Sequence, residues 1–144
     1  MILIVDANIV MSALLKEGKS RELLTLTPFI LYSPDTLLES IEKYKDEFIQ
    51  RMRLTREDFQ KLLNFLLRKI TIVKQEEYSQ KLEQANQIFG NIDIGDVPYI
   101  ALALSIENDG IWSDDAHFQE QNNIKIYKTE EIIKILGRED EQNN

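Results

Sequence analysis

The sequence predicts an α/β protein, a three-layer α/β/α sandwich around a mostly parallel sheet of about five strands. Two observations support this prediction. Short apolar runs rich in β-branched residues alternate with longer segments of helical periodicity. The first run, "ILIV" at residues 2–5, is apolar without alternation, which is typical of a strand buried on both faces of a parallel sheet. The chain has 144 residues, enough for one full hydrophobic core.

The first half of the chain follows this alternation. The run "NIVMSALLKEG" has helical periodicity, Gly18 is its expected stop, and "SRELLTL" continues as a second helical piece. "FILYS" at residues 29–33 predicts the second strand, and a long helix follows from Pro34, "PDTLLESIEKYKDEFIQRM". Thr55 and Asp58 form a start resembling a capping box, with Asp in place of Glu, for the helix "TREDFQKLLNFLLRKI".

The second half repeats the pattern. "TIVK" predicts the third strand and "EEYSQKLEQANQIFG" one helix that ends at Gly90. Pro98 falls in the first turn of "VPYIALALSIEN", a helix that is apolar nearly all round and is therefore expected to be buried. "GIWS" and "IKIY" at residues 124–127 predict the last two strands. "TEEIIKIL" predicts a closing helix that is capped by Thr129.

Composition limits the kinds of site and the number of domains. The chain has no cysteine, which excludes disulfides and thiolate-bound zinc or iron–sulfur clusters. The apolar start lacks a basic segment, and no apolar run reaches the roughly 20 residues of a membrane span. We therefore expect a cytoplasmic protein without a membrane partner. We also expect one domain over residues 1–136, followed by a polar, frayed tail at residues 137–144.

Acidic residues stand at the ends of the predicted strands. Asp6 ends the first strand, and Glu39 lies one turn into the helix after the second. Asp96 begins the buried helix, and Asp114 and Asp115 end the fourth strand. In parallel α/β folds, sites form at the carboxyl ends of the strands, so we expect these carboxylates to converge. Oxygen ligands suit Mg²⁺ or Mn²⁺, and such a metal could support hydrolysis of a phosphodiester.

Each acid also has a purely structural interpretation. Three of them could cap the helices that follow them, namely Asp6, Asp96 and Asp115. Glu39 could be a solvated charge on an amphipathic helix, and Asp93 is more easily a turn residue than a direct ligand. His117 is the single histidine, and a lone histidine is more often structural than catalytic. The occurrence of acids at several strand ends is what favours a functional site.

At these residues the sequence resembles the PIN domain family. The segments "LIVDANIVMSALL", "LLESIEKY", "DIGDVPYIALAL" and "IWSDDAHF" have the family's order and approximate spacing over roughly residues 1–136. The family comprises metal-dependent ribonucleases, many of them VapC-like toxins of toxin–antitoxin pairs. The resemblance implies four metal-binding catalytic acids: Asp6, Glu39, Asp96 and Asp115. It implies supporting roles for Asn8 and Ser113, and it leaves Asp93 and Asp114 as further candidate ligands.

The adjacent aspartates have different expected roles. In a continuing strand, Ser113 and Asp115 would point one way and Asp114 the other. Together with the resemblance, this alternation favours Asp115 as the principal ligand and Asp114 as an outer residue. Relatives often carry Asn at the position of Asp114, so this chain has an extra negative charge there.

The resemblance implies an Mg²⁺- or Mn²⁺-dependent endoribonuclease with an RNA substrate and a small antitoxin protein as partner. We expect a homodimer, because PIN-like toxins commonly pair and "FQKLLNFLLRKI" is apolar enough to supply an interface. One alternative is a non-catalytic PIN-like module that binds RNA or protein. Another is a Mg²⁺-dependent phosphotransfer or receiver domain, which would require an Asp at Asn8 or at the end of the third strand.

The charge of the chain bears on RNA binding. The 17 basic and 25 acidic side chains give a net charge of −8, which argues against broad attraction to nucleic acid. The six candidate acids account for all the net charge of residues 1–136. One segment, residues 43–56, has a local excess of base and could hold RNA phosphates or form a solvated helix face. Its basic residues are Lys43, Lys45, Arg51, Arg53 and Arg56.

Overall fold

The computed structural model describes the backbone of residues 1–143 and the side chains of residues 1–138. Its sheet is entirely parallel, in the order β3-β2-β1-β4-β5. The strands are β1 (Ile2–Val5), β2 (Ile30–Pro34), β3 (Ile70–Val73), β4 (Gly110–Trp112) and β5 (Ile126–Tyr127). The predicted fold class is confirmed.

The buried position of β1, the central strand, accounts for its continuous apolar sequence. β1 pairs with β2, where Ile2 faces Ile30, and with β4, where Val5 faces Trp112. The side chains of Leu3, Ile4 and Val5 are all fully buried. An alternating pattern would have placed polar groups inside one helical layer, so only a continuous apolar run satisfies this position.

Helices cover both faces of the sheet. They are α1 (Ala7–Leu15), α2 (Lys19–Leu26), α3 (Thr36–Met52), α4 (Arg56–Leu67), α5 (Gln75–Tyr78), α6 (Leu82–Phe89), α7 (Val97–Ser105) and α8 (Thr129–Asn143). The first four pack against one another, whereas α7 packs on β1, β2 and β4 with α5 and α6 beside it. The buried position expected for α7 is confirmed, because most of its side chains lie in the core.

The helix expected to run unbroken to Gly90 is interrupted. A 3₁₀ turn at Ser79–Lys81 separates α5 from α6. Tyr78 is almost fully buried, and its hydroxyl donates a hydrogen bond to Asp35 at the end of β2. Asp35 also accepts from the backbone N–H of Gln75 at 3.0 Å. The interruption therefore accompanies a tertiary contact that local periodicity does not encode.

The closing helix is longer than expected. α8 continues to Asn143, beyond the expected end of its apolar pattern at Leu136. Asn144 lies outside the described residues, as do the side chains of residues 139–143. Fraying of the polar end and the domain boundary at residue 136 therefore stay predictions.

Candidate metal centre

The candidate site lies where the strand order reverses. The chain runs from β1 outward through β2 to β3, then returns to the other side of β1 at β4. This places the carboxyl ends of β1 and β4 side by side, the usual location of ligand sites in such sheets. The backbone N–H of Asp6 donates to Trp112 O at 3.1 Å, so the segments after the two strands begin in contact.

Asp6 is the buried acid of the site. Asp6 is only 1% exposed, and Ser113 Oγ donates a 2.7 Å hydrogen bond to Asp6 Oδ2. Asp6 precedes α1, but its side chain makes no capping hydrogen bond. Burial raises the pKa of Asp6 to about 6, and the charge of Asp115 adds to the rise although the hydrogen bond from Ser113 opposes it. Capping therefore does not explain this carboxylate.

Asp115 is oriented by its neighbours. Its backbone N–H donates to Ser113 Oγ at 3.0 Å, and Asn8 Nδ2 donates to its Oδ2 at 3.4 Å. Its Oδ1 accepts from the backbone N–H of His117 at 2.9 Å, which caps the 3₁₀ turn Ala116–Glu120. Asp115 therefore both caps a turn and presents its charge to Asp6.

Asp114 points elsewhere and caps α8. It accepts hydrogen bonds from the backbone N–H of Thr129 at 2.8 Å and from its hydroxyl at 2.6 Å. Thr129 Oγ1 in turn accepts from Trp112 Nε1 at 3.0 Å. The expected cap by Thr129 is wrong, because Thr129 is itself the first residue of α8 and the N–H groups of Glu131 and Ile132 donate to Lys128 O. The two adjacent aspartates diverge, as strand alternation predicts.

Asp96 is a half-buried acid whose carboxylate lies within the influence of Asp6. It precedes α7 without a capping hydrogen bond from its side chain. Burial raises its pKa to about 7, and the charges of Asp6, Asp93 and Asp115 contribute in that order. Carboxylates that raise the pKa of one another in this way are held together against their mutual repulsion.

Asp93 and His117 lie at the exposed side of the cluster. Asp93 Oδ1 accepts from the backbone N–H of Gly95 at 3.0 Å, as expected for a turn residue. Its Oδ2 lies 3.3 Å from His117 Nδ1, which is also 3.8 Å from Asp115 Oδ1. One potential ligand atom from each of Asp93, Asp96 and His117 lies within 4.8 Å of the others.

His117 is the site residue that sequence reasoning left without a role. The hydrogen bond with Asp93 raises its pKa most, and the charge of Asp115 raises it further. The next residue, Phe118, is fully buried and stacks on Phe89 with ring centroids 5.1 Å apart. This anchor holds the exposed imidazole beside the acids. The available sequence signal was the position of His117 two residues after Asp115, within a capped turn.

Glu39 is exposed in the first turn of α3. Burial, the Asp35 hydrogen bond and the charges of Asp35 and Glu39 all raise the pKa of Tyr78. The charges that raise the pKa of Asp96 belong to Asp6, Asp93 and Asp115. The role of Glu39 as a metal ligand therefore stays a prediction.

The predicted basic segment has its side chains in different places. Arg51 lines a hollow that also contains Asn8, beside the cluster. Arg56 pairs with Asp46 at 2.8 Å, and Lys45 donates to Gln60 at 3.5 Å. The other two make different contacts: Lys43 lies over the Tyr44 ring, and Arg53 ends α3 in a left-handed conformation. Among the five, Arg51 has the clearest connection to the acids.

The donor set fits a divalent cation. Within the described side chains, no lysine or arginine forms an ion pair with Asp6, Asp96 or Asp115. Asp6 is buried, and Asp96 and Asp115 are half-buried. Carboxylates in this setting without a basic partner are groups that a hydrated cation would satisfy.

A family model described as PIN domain matches residues 4–136, a span that includes every acid of the cluster. The chain belongs to the PIN domain family. PIN domains are generally nucleases, which favours hydrolysis over the phosphotransfer alternative. Comparison with curated proteins found no match. None of the helices in the described part of this PIN domain is long and apolar enough to cross a membrane.

Proposed function

We propose that this PIN domain is an endoribonuclease that uses Mg²⁺ or Mn²⁺. The convergence of Asp6, Asp96 and Asp115 is the observation that carries this proposal. The raised pKa values of Asp6 and Asp96 express first the cost of burying these carboxylates and then the repulsion between neighbouring charges. When bound, a divalent ion would lower the pKa of its water and stabilise negative charge on a phosphate.

The chain's own residues have distinct roles in this proposal. Asp6, Asp96 and Asp115 supply carboxylate oxygens to the cation, and Glu39 is a further candidate ligand from α3. Ser113 fixes the rotamer of Asp6 through its 2.7 Å hydrogen bond, and Asn8 does the same for Asp115 more loosely. Such supporting contacts usually contribute about 10–100-fold to metal affinity or activity.

Three adjoining hollows support RNA as the substrate. They measure about 400, 370 and 450 Å³, and Ser12 of α1 lines all three. The first contains Asn8, Tyr44 and Arg51, and the last contains Asp114. A single strand could stack a base on the exposed ring of Tyr44 and place phosphates near Arg51.

A cleavage assay on the purified protein tests the function. We expect single-stranded RNA to be cut with Mg²⁺ or Mn²⁺ and to stay intact in EDTA. Asp6→Asn should abolish cutting, whereas Asp58→Asn should retain it because Asp58 is an exposed residue of α4. RNA binding without cutting by the wild-type protein would favour the non-catalytic alternative.

A toxin role would require a small antitoxin protein as partner. We expect expression of the protein to arrest growth and expression of the Asp6→Asn variant to be harmless. Arrest by both proteins would show that the effect does not depend on the acids. Harmless expression of the wild-type protein would contradict the toxin role while leaving nuclease activity open to the direct assay.

Homodimerisation is a separate proposal. In α4, Phe59, Leu63 and Leu66 are buried within the subunit, whereas Phe65 is 46% exposed. An interface on this helix would cover Phe65, so Phe65→Ser should shift a dimer toward monomer in light scattering at micromolar concentration. A wild-type monomer under these conditions would refute the proposal.

A further inference from the structure

We propose that His117 is itself a metal ligand, which makes the site a mixed imidazole–carboxylate centre that prefers Mn²⁺ to Mg²⁺. This inference rests on the metal-dependent function proposed above and specifies its cation. In this position His117 and Asp93 join Asp96, which is one of the three acids assigned to the cation above, beside the buried Asp6.

The first support is geometric. Ligand atoms from Asp93, Asp96 and His117 come within 4.8 Å of one another, so a single ion could contact all three after small side-chain movements. His117 Nδ1 also lies 3.8 Å from Asp115 Oδ1, so the imidazole faces two carboxylates from different segments. The 3₁₀ turn that holds His117 is fixed at Asp115 by a cap and at Phe118 by burial.

The second support is the charge around Asp96. The charges of Asp6, Asp93 and Asp115 all act on this half-buried carboxylate. Within the described side chains, no lysine or arginine forms an ion pair with Asp93 or Asp96. The acids beside His117 therefore lack a compensating lysine or arginine, which a bound cation would replace.

Ligand chemistry sets the preference between the two metals. Mg²⁺ demands near-ideal octahedral geometry and favours oxygen ligands, including several waters. First-row transition ions accept imidazole more readily, and Mn²⁺ combines this with a tolerance for carboxylates. Loss of His117 should therefore affect Mn²⁺ more than Mg²⁺. If His117 only formed an ion pair with Asp93, its loss would instead strengthen the binding of both metals, because it would remove a positive charge from the site.

Calorimetric titration with MnCl₂ and MgCl₂ at fixed pH tests the inference. His117→Gln should weaken Mn²⁺ binding by at least about tenfold, the lower end of the losses seen for supporting residues of metal sites. It should leave Mg²⁺ binding nearly unchanged. Glu120→Gln is the matched control, because Glu120 is an exposed acid of the same turn that lies near His117 without belonging to the cluster. This control should retain the wild-type preference.

Spin-echo spectroscopy of bound Mn²⁺ gives an independent readout. A directly coordinated imidazole nitrogen should modulate the echo in the wild-type protein and not in His117→Gln. Equal losses for both metals, or unchanged or tighter Mn²⁺ binding, would overturn the inference. The proposed nuclease would survive that result if Asp96→Asn still abolished metal binding and cleavage. Failure of the wild-type protein to bind either metal would overturn both.

Discussion

Burial of a charged group is the main energetic feature at the scale of single residues. The pKa of Asp6 is about 6 in the folded protein, against an ordinary value of 3.8. The difference corresponds to roughly 3 kcal/mol of stability that is present at low pH and lost as the carboxyl ionises. The site therefore lowers the stability of the metal-free protein at neutral pH.

The first prediction follows from the sign of that shift. Because the folded pKa is raised, the contribution of Asp6 is fully present below pH 3.8 and disappears as pH rises through about 6. In EDTA at pH 8, Asp6→Asn should therefore raise Tm by about 10 °C, while Asp58→Asn leaves it near the wild-type value. The advantage should shrink toward pH 4. A lower Tm for Asp6→Asn at pH 8 would show that its charge is not the destabilising feature.

The adjacent aspartates give a second prediction at this scale. Asp115→Asn should remove most cleavage at any metal concentration, because Asp115 faces Asp6. Asp114→Ala should lower stability by about 1 kcal/mol through loss of the α8 cap and should keep activity at saturating metal. Thermal unfolding and metal-dependent rates would be measured on both variants. An inactive Asp114→Ala at saturating metal with an active Asp115→Asn would reverse the assignment.

At the scale of elements, the close packing of β4 against β5 depends on a glycine. Gly110 begins β4 with φ of +148°, and a Cβ at this position would lie 2.5 Å from Lys125 O. The backbone conformation and the close approach both require glycine. The strand that leads into Ser113 and the two aspartates therefore depends on Gly110 for its position.

We predict that Gly110→Ala lowers stability by about 1–3 kcal/mol, the usual cost of a strained backbone position. Gly137→Ala is the matched control, because Gly137 lies in α8 with nothing within 4 Å of an added Cβ. That control should gain up to about 1 kcal/mol from higher helix propensity. Denaturant unfolding of the two variants would compare them directly. An equal or greater stability for Gly110→Ala would contradict the role assigned to Gly110.

At the scale of the whole molecule, a net charge of −8 must coexist with binding to a polyanion. Nonspecific attraction is therefore weak, and RNA must be held by a few local cations near the acids. Arg51 is one candidate because it lines two hollows, one of which it shares with Asn8. Lys16 is exposed and lines the hollows of about 370 and 450 Å³.

We predict that Arg51→Gln weakens RNA binding and lowers the magnitude of its salt slope by about one. The measurement should use the Asp6→Asn background, in which binding is separated from cleavage. Arg56→Gln provides the comparison, since Arg56 is held by Asp46 and should contribute little. Equal effects of the two substitutions would show that the hollow beside Asn8 is not the RNA path.

Local sequence patterns were sufficient to predict the parallel α/β/α architecture and the edge of the sheet where the acids lie. Strand and helix periodicities are local properties, and a residue that follows a parallel strand must emerge at that edge. Which side chains meet there is seen only in the folded chain. Asp93 contacts His117, which is 24 residues away in the sequence. Asp114 accepts a hydrogen bond from Thr129, which is 15 residues away. These pairings depend on how distant elements pack and on the directions of their side chains, which local patterns do not contain.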